Sequence, residues 1–190
     1  MSTADREKWD TRYRTQGAES KAPSAFLRSL DLRQSGRALD VAGGAGRNAI
    51  WLAQRGLDVT LVDISREGLA LARAAAGDLP LSLVCADLES EPLPAGPFDL
   101  IISFNFLRRE LFAAFPGSLS PGGLLVYQQP TMSNLQRHPR PPAAFLLADG
   151  ELPGLLQGLE MVSYQEGWFA DGDEPGEARH QARLVARKPR

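Results

Sequence analysis

Apolar residues recur along the chain in five short runs, at 38–42, 59–62, 81–85, 98–102 and 123–127. Each run is close to continuously apolar rather than alternating, the pattern of a strand covered on both faces. Segments of helical character separate them. Residues 47–55 place Ala49, Ile50, Leu52 and Ala53 on one side and stop at Gly56. Residues 66–76 follow Ser65, a favoured N-cap, and stop at Gly77. Residues 108–119 make a third helix. Strands alternating with helices predict an α/β fold with a parallel, doubly wound sheet.

The end of the chain breaks this rhythm. Residues 159–166 and 181–187 both read as strands, and the 167–180 stretch between them is rich in Gly, Asp and Glu. An antiparallel hairpin added to one edge is the simplest reading. Ala182, Leu184 and Ala186 alternate with Arg183, Val185 and Arg187, which predicts a mostly half-exposed strand. Two short helices, at 5–14 and 23–30, precede the sheet.

Composition narrows the class. At 190 residues the chain fits one compact domain, here read as 1–190, with helices over 1–35 and the sheet core over 36–190. Apolar residues at 43% and charged residues at 23% exclude collagen-like and wholly disordered chains. No apolar run reaches the roughly 18 residues of a membrane span, and the charged first ten residues do not read as a secretory leader. A net charge of −2 gives no bulk attraction to nucleic acid or to an anionic membrane. One cysteine and two histidines cannot build a disulfide framework or a Cys/His zinc site, so no metal is expected. A cytoplasmic enzyme or binding domain remains, with its oligomeric state unset.

The strongest local signal is Asp40-Val41-Ala42-Gly43-Gly44-Ala45-Gly46-Arg47-Asn48-Ala49, a strand running into a glycine-rich turn and then a helix. Glycines there permit positive φ and a close ligand approach, and the helix start offers unpaired N–H groups. Gly44, Gly46 and Ala49 also fit the dinucleotide fingerprint G-x-G-x-x-A. Asp63 ends the second run, where a carboxylate can accept both ribose hydroxyls. Asp87 closes the third. Three acids therefore lie along the carboxyl edge, where open α/β sheets bind ligands.

In these motifs the chain resembles the class I S-adenosylmethionine-dependent methyltransferases. Asp40-x-x-Gly43-Gly44-x-Gly46 resembles their first motif, (Asp/Glu)-x-Gly-x-Gly-x-Gly, with Ala42 standing at its first glycine. Phe98-Asp99-Leu-Ile-Ile-Ser-Phe104-Asn105 resembles the fourth-strand motif, and Leu119-Ser-Pro121-Gly122-Gly123 the turn into the fifth strand. Trp9-Asp10-x-Arg12-Tyr13 resembles the amino-terminal signature of the small thiopurine- and tellurite-type group. The resemblance implies a Rossmann-like, mostly parallel seven-stranded sheet with an antiparallel last strand, capped by the amino-terminal helices. It implies S-adenosylmethionine as cofactor and a small-molecule acceptor methylated in line. Cofactor contacts are implied at Asp40, Gly43, Gly44, Gly46, Asp63, Ile64, Asp87, Leu88, Phe104, Asn105, Trp9 and Arg12. Tyr13, Arg47, Arg137 and Arg140 are the acceptor candidates; Asn105 and His138 are the candidates for a chemical role in a proximity mechanism.

Rival readings have less support. A nicotinamide-dependent oxidoreductase would share Gly44, Gly46 and Asp63, yet Asp40 would repel a pyrophosphate, and no Tyr-x-x-x-Lys is present. Neither histidine is expected near the carboxyl edge of the first five strands. A non-catalytic cofactor-binding module of the same fold is the third class. Cys85 reads as a small core residue and His138 as a solvated loop residue. Arg137, Arg140, Arg183, Arg187, Lys188 and Arg190 lack interleaved aromatics and read as solvated surface. Residues 131–148, broken by prolines, read as a mobile cover over the acceptor pocket.

Overall fold

The computed structural model describes residues 3–17, 22–170 and 177–190. Its centre is one seven-stranded sheet in the order β3-β2-β1-β4-β5-β7-β6. The strands are β1 Arg37–Val41, β2 Asp58–Asp63, β3 Leu81–Cys85, β4 Phe98–Phe104, β5 Leu119–Pro130, β6 Glu160–Phe169 and β7 Arg179–Arg187. β1 to β5 run parallel, and β7 runs antiparallel to both β5 and β6. The order reverses direction at β1 and β4, and the crevice above that switch is where such sheets take ligands.

The helices are α1 Thr3–Gln16, α2 Ala25–Arg28, α3 Arg47–Gln54, α4 Arg66–Ala76 and α5 Leu111–Ser118. One face of the sheet packs Phe26, Leu27, Leu52, Leu61, Leu69 and Ala72. The other buries Leu39, Val62, Ile101, Phe112, Phe115, Tyr127 and Leu184. Local chemistry sets the ends of α4: the Ser65 hydroxyl accepts the Gly68 N–H at 3.0 Å, and Gly77 turns away at φ 55°. α5 starts later than the pattern predicts, because residues 108–110 close a turn in which Leu111 N–H bonds Arg108 O.

Two expectations are corrected. β3 is the sheet edge and half-exposed, so Cys85 is exposed rather than a core residue. β7 is buried from Gln181 to Ala186, because it lies inside the sheet between β5 and β6. Residues 131–148, read as a mobile cover, contain two 3-10 turns, Met132–Gln136 and Ala143–Phe145. Asn134 is fully buried, donates to Arg140 O and accepts from His180 N–H.

Ala42 sits at φ 55°, in the left-handed region where the resembling motif has glycine. A side chain there costs about 1–2 kcal/mol. Ala42→Gly is therefore expected to stabilise the protein by about 1 kcal/mol, read as a higher urea midpoint at unchanged slope. A lower midpoint would refute the strain.

Candidate functional site

The glycine turn is built from β1, β2 and α3. Gly43 N–H bonds Val62 O at 3.3 Å and Gly46 N–H bonds Gly43 O at 2.9 Å, closing the turn against β2. Asp63 organises it: one carboxylate oxygen accepts Gly44 N–H at 2.8 Å, the other Ser65 N–H at 2.8 Å. Burial pushes the Asp63 carboxyl up, and these N–H bonds hold part of that rise back.

Asp40 is 1% exposed, and neither of its oxygens closes a hydrogen bond. Burial raises its pKa to about 7, with the Ala49 N–H and the Arg47 charge pulling the other way. Its carboxylate lies against the turn: a Cβ on Gly43 would sit 2.6 Å from Oδ2. An ionised, orphaned carboxylate in such a place is costly unless a cationic or hydrogen-bond-donating group meets it.

α1 covers this turn. Asp10 accepts from the Ser65 hydroxyl at 2.6 Å and from Glu67 N–H at 3.2 Å, so it caps α4 from a distant part of the chain. Arg14 pairs with Glu67 at 3.1 Å. The Tyr13 hydroxyl lies over Gly44, where a Cβ would be only 2.0 Å from it. Trp9 and Tyr13 rings stand 6.2 Å apart, and the Arg12 guanidinium lies 5.2 Å from the Trp9 ring. Asp10 stands in the amino-terminal signature, but its capping role is not legible there, since its partners lie some 55 residues on.

Beyond β3, Asp87 is half-buried and holds its own loop: its N–H bonds Glu91, and its carboxylate accepts Glu89 N–H at 3.0 Å. Leu88 and Ile64 are buried beside it in sequence, at the ends of β3 and β2. At the end of β4, Phe104 packs against Phe26 of α2. Asn105 is exposed, holds φ 58° and donates its N–H to Gln128 O at 2.9 Å. A non-glycine residue at positive φ beside a crevice is a common mark of a functional position.

The remaining candidates gather elsewhere. His138 is buried, not solvated: Nε2 meets Ala178 O at 2.8 Å and Nδ1 meets Glu177 at 3.1 Å. Both ring nitrogens are thus taken by the 177–180 end of the hairpin. The Arg137 guanidinium stacks 4.0 Å from the Trp168 ring centroid, and Arg140 supplies the carbonyl that holds Asn134. These residues tie the 131–148 segment to the β6–β7 hairpin rather than to the glycine turn. His180, against expectation, lies at the carboxyl end of β5, with Nδ1 2.7 Å from the Thr131 hydroxyl. Asp149, Glu166 and His180 bring ligand-type atoms within 4.8 Å of one another. Ser133, Gly150, Tyr164 and Thr131 already bond these side chains, and the knot reads as a structural clasp. Arg183, expected on solvated surface, is 5% exposed inside β7.

Residues 38–123 match the family model described as a methyltransferase domain. Over those residues the chain is similar to methyltransferase domains. Among curated relatives, the Bacillus subtilis protein YqeM, named as a methyltransferase candidate, is 31% identical over 106 residues, which are 50% of this chain and 43% of YqeM. The curated relatives matched are longer: the matches span 27% to 43% of their lengths. Among solved structures, a TehB-like S-adenosylmethionine-dependent methyltransferase from Corynebacterium glutamicum superposes over 100% of both chains, with a TM-score of 0.68 and 20% identity. A protein described for conversion of a disulfide bond into a thioacetal group in echinomycin biosynthesis reaches a TM-score of 0.73 at 20% identity, over 97% of this chain and 91% of its own. The methyltransferase fold, antiparallel last strand included, is therefore the one expected.

Proposed function

We propose that this methyltransferase domain transfers a methyl group from S-adenosylmethionine, as its cofactor, to a small-molecule acceptor by direct in-line attack, in the cytoplasm. The observation that carries the reading is the pair of acids at the glycine turn. Asp63 is fixed by Gly44 and Ser65 N–H groups, while Asp40 keeps a buried carboxylate with no bonded partner. An orphaned acid suits a ligand ammonium and opposes a pyrophosphate, which separates the reading from a nicotinamide-dependent oxidoreductase.

The residues present fit the cofactor. Asp63 would take the ribose hydroxyls, since a carboxylate with two bonds made retains acceptor capacity. Asp87 with Leu88 and Ile64 would meet the adenine. Gly43 and Gly44 would let the methionine portion lie on the backbone. Asp40 would face the ammonium and Arg12 the carboxylate; Trp9, Tyr13 and Arg47 would line the same crevice. S-adenosylmethionine supplies, when bound, a methyl group on a cationic sulfur. The chain's own work is then positioning and exclusion of water, with Phe104 and Asn105 flanking the acceptor. His138 supplies no proton transfer in this scheme, because both its nitrogens are held.

Calorimetry with S-adenosylhomocysteine tests the site. Wild type should bind it and ignore NAD, and Asp63→Ala should weaken binding about 100-fold, the loss of two charge-assisted hydrogen bonds. Unchanged affinity in a folded Asp63→Ala protein would refute the assignment.

A further inference from the structure

A cavity of about 210 Å³ opens at the end of the sheet opposite the ligand crevice, lined by Arg33, Asp99, Gly122, Leu124, Arg187 and Arg190. It lies where β4 and β5 begin and β7 ends, since Leu124 pairs with Leu100 of β4 on one side and with Arg187 of β7 on the other. From Leu124 the strand runs six residues on to its carboxyl end at Pro130, roughly 20 Å. The cavity is therefore separate from the glycine turn and its acids.

Its one side-chain carboxylate is already engaged. Asp99 Oδ1 meets the Arg33 guanidinium at 2.6 Å, and Oδ2 accepts the Arg37 N–H at 2.9 Å. Arg187 and Arg190 close no ion pair among the described residues; Glu160 faces Arg187 in the β6–β7 register without forming one. The backbone that carries these arginines is held in place. Lys188 N–H donates to Gly123 O, and Lys188 O accepts the Gly122 N–H, each at 2.9 Å. The Lys188 ammonium donates to Leu119 O at 2.8 Å, so that cation anchors the segment and the flanking arginines are left to the cavity. Arg190 runs along Gly122, its Cγ 3.7 Å from where a Cβ would stand. Three guanidiniums around one cavity repel one another unless an anion joins them.

We propose that this cavity binds a phosphate group, free or carried by a small phosphomonoester, through Arg187 and Arg190. Each guanidinium presents a planar fork of N–H donors that matches phosphate oxygens two at a time. Arg33 adds a third positive wall, and half-buried Leu124 gives an apolar surface for the carbon end of an ester. Drug-sized ligands occupy pockets from about 300 Å³ upward, so about 210 Å³ suits a phosphate with few carbon atoms. The site takes no part in methyl transfer and does not rest on that reading.

Inorganic phosphate and glycerol 3-phosphate are the probes, titrated calorimetrically into the full chain at about pH 8 and low ionic strength. Wild type should bind both saturably, at least about tenfold more tightly than acetate, which offers the same fork a single charge. Arg187→Gln and Arg190→Gln should each weaken phosphate about tenfold. Both side chains are exposed, so both variants should fold. Arg55→Gln, at an exposed arginine stacked on Trp51, is the control and should leave phosphate affinity within about twofold. Tighter binding of glycerol 3-phosphate than of phosphate assigns the ester as ligand, and equal affinities assign the phosphate group alone. No saturation below about 10 mM phosphate, acetate bound as tightly as phosphate, unchanged affinity in both cavity variants, or an equal loss in Arg55→Gln overturns the site. A single-stranded oligonucleotide bound more tightly than glycerol 3-phosphate, with the same loss in Arg187→Gln, also overturns it, by giving the arginines to a nucleic-acid backbone.

Discussion

Gly46→Val is expected to cost the fold about 3–5 kcal/mol, combining a branched side chain at left-handed φ with an overpacked contact. Gly46 holds φ 80°, and a Cβ there would lie 2.8 Å from Ala72 Cβ and 3.2 Å from Leu61 Cδ1. Both neighbours are fully buried, on α4 and β2, so neither has room to retreat. The glycine serves the approach of helix and strand more than the approach of a ligand, a distinction the motif alone does not make. Gly44 is the contrast. Its missing side chain faces the Tyr13 hydroxyl, the far end of a side chain on α1. Gly44→Ala should therefore cost only about 1–2 kcal/mol of backbone strain while loosening α1 from the turn. Urea unfolding ranks the two variants, and tryptic cleavage at Arg12 or Arg14 reads the loosening. A Gly46→Val midpoint within error of wild type, or Gly44→Ala as the more damaging change, would overturn the assignment.

The contrast shows where the sequence is legible. The five parallel strands, the glycine turn and the capped α4 are written locally: apolar runs, a Ser65 N-cap and a Gly77 stop need only their neighbours. Contacts that depend on strand order are not. Cys85 is exposed because β3 happens to be the edge, and Arg183 is buried because β7 inserts between β5 and β6. A pattern of alternating Arg and Ala is the same in both settings, so no local signal separates an outer strand from an inner one. His138 and Asn134 are likewise held by the distant residues 177–180. Around the crevice, residue type identified Asp40 and Asp63 as candidates, whereas Asp10 emerges only once α1 folds back on α4.

Affinity for S-adenosylhomocysteine is expected to rise with pH through about 7 and then level off, following Asp40. Burial raises this carboxyl to about 7 in the folded, ligand-free protein, against 3.8 for an ordinary aspartate. Because the folded value is raised, the neutral acid is favoured on folding. Its contribution to stability is fully present below about pH 4 and is lost as pH climbs through 7, by on the order of a few kcal/mol. Asp10, Asp149 and Glu151 are shifted downward and favour the folded state at higher pH, so the wild-type curve alone mixes opposing slopes. Asp40→Asn isolates the one group: the variant should gain stability over wild type as pH rises from about 5 to 8. S-adenosylhomocysteine carries an ammonium, and a cation facing Asp40 favours the ionised acid. Binding below pH 7 must then expel a proton, visible as a dependence of calorimetric heat on buffer ionisation. Asp40→Asn should release no such proton and bind more weakly at pH 8. Buffer-independent heats for wild type at about pH 6, or an Asp40→Asn stability that tracks wild type across the range, would mean that Asp40 neither carries the buried charge nor meets the ligand.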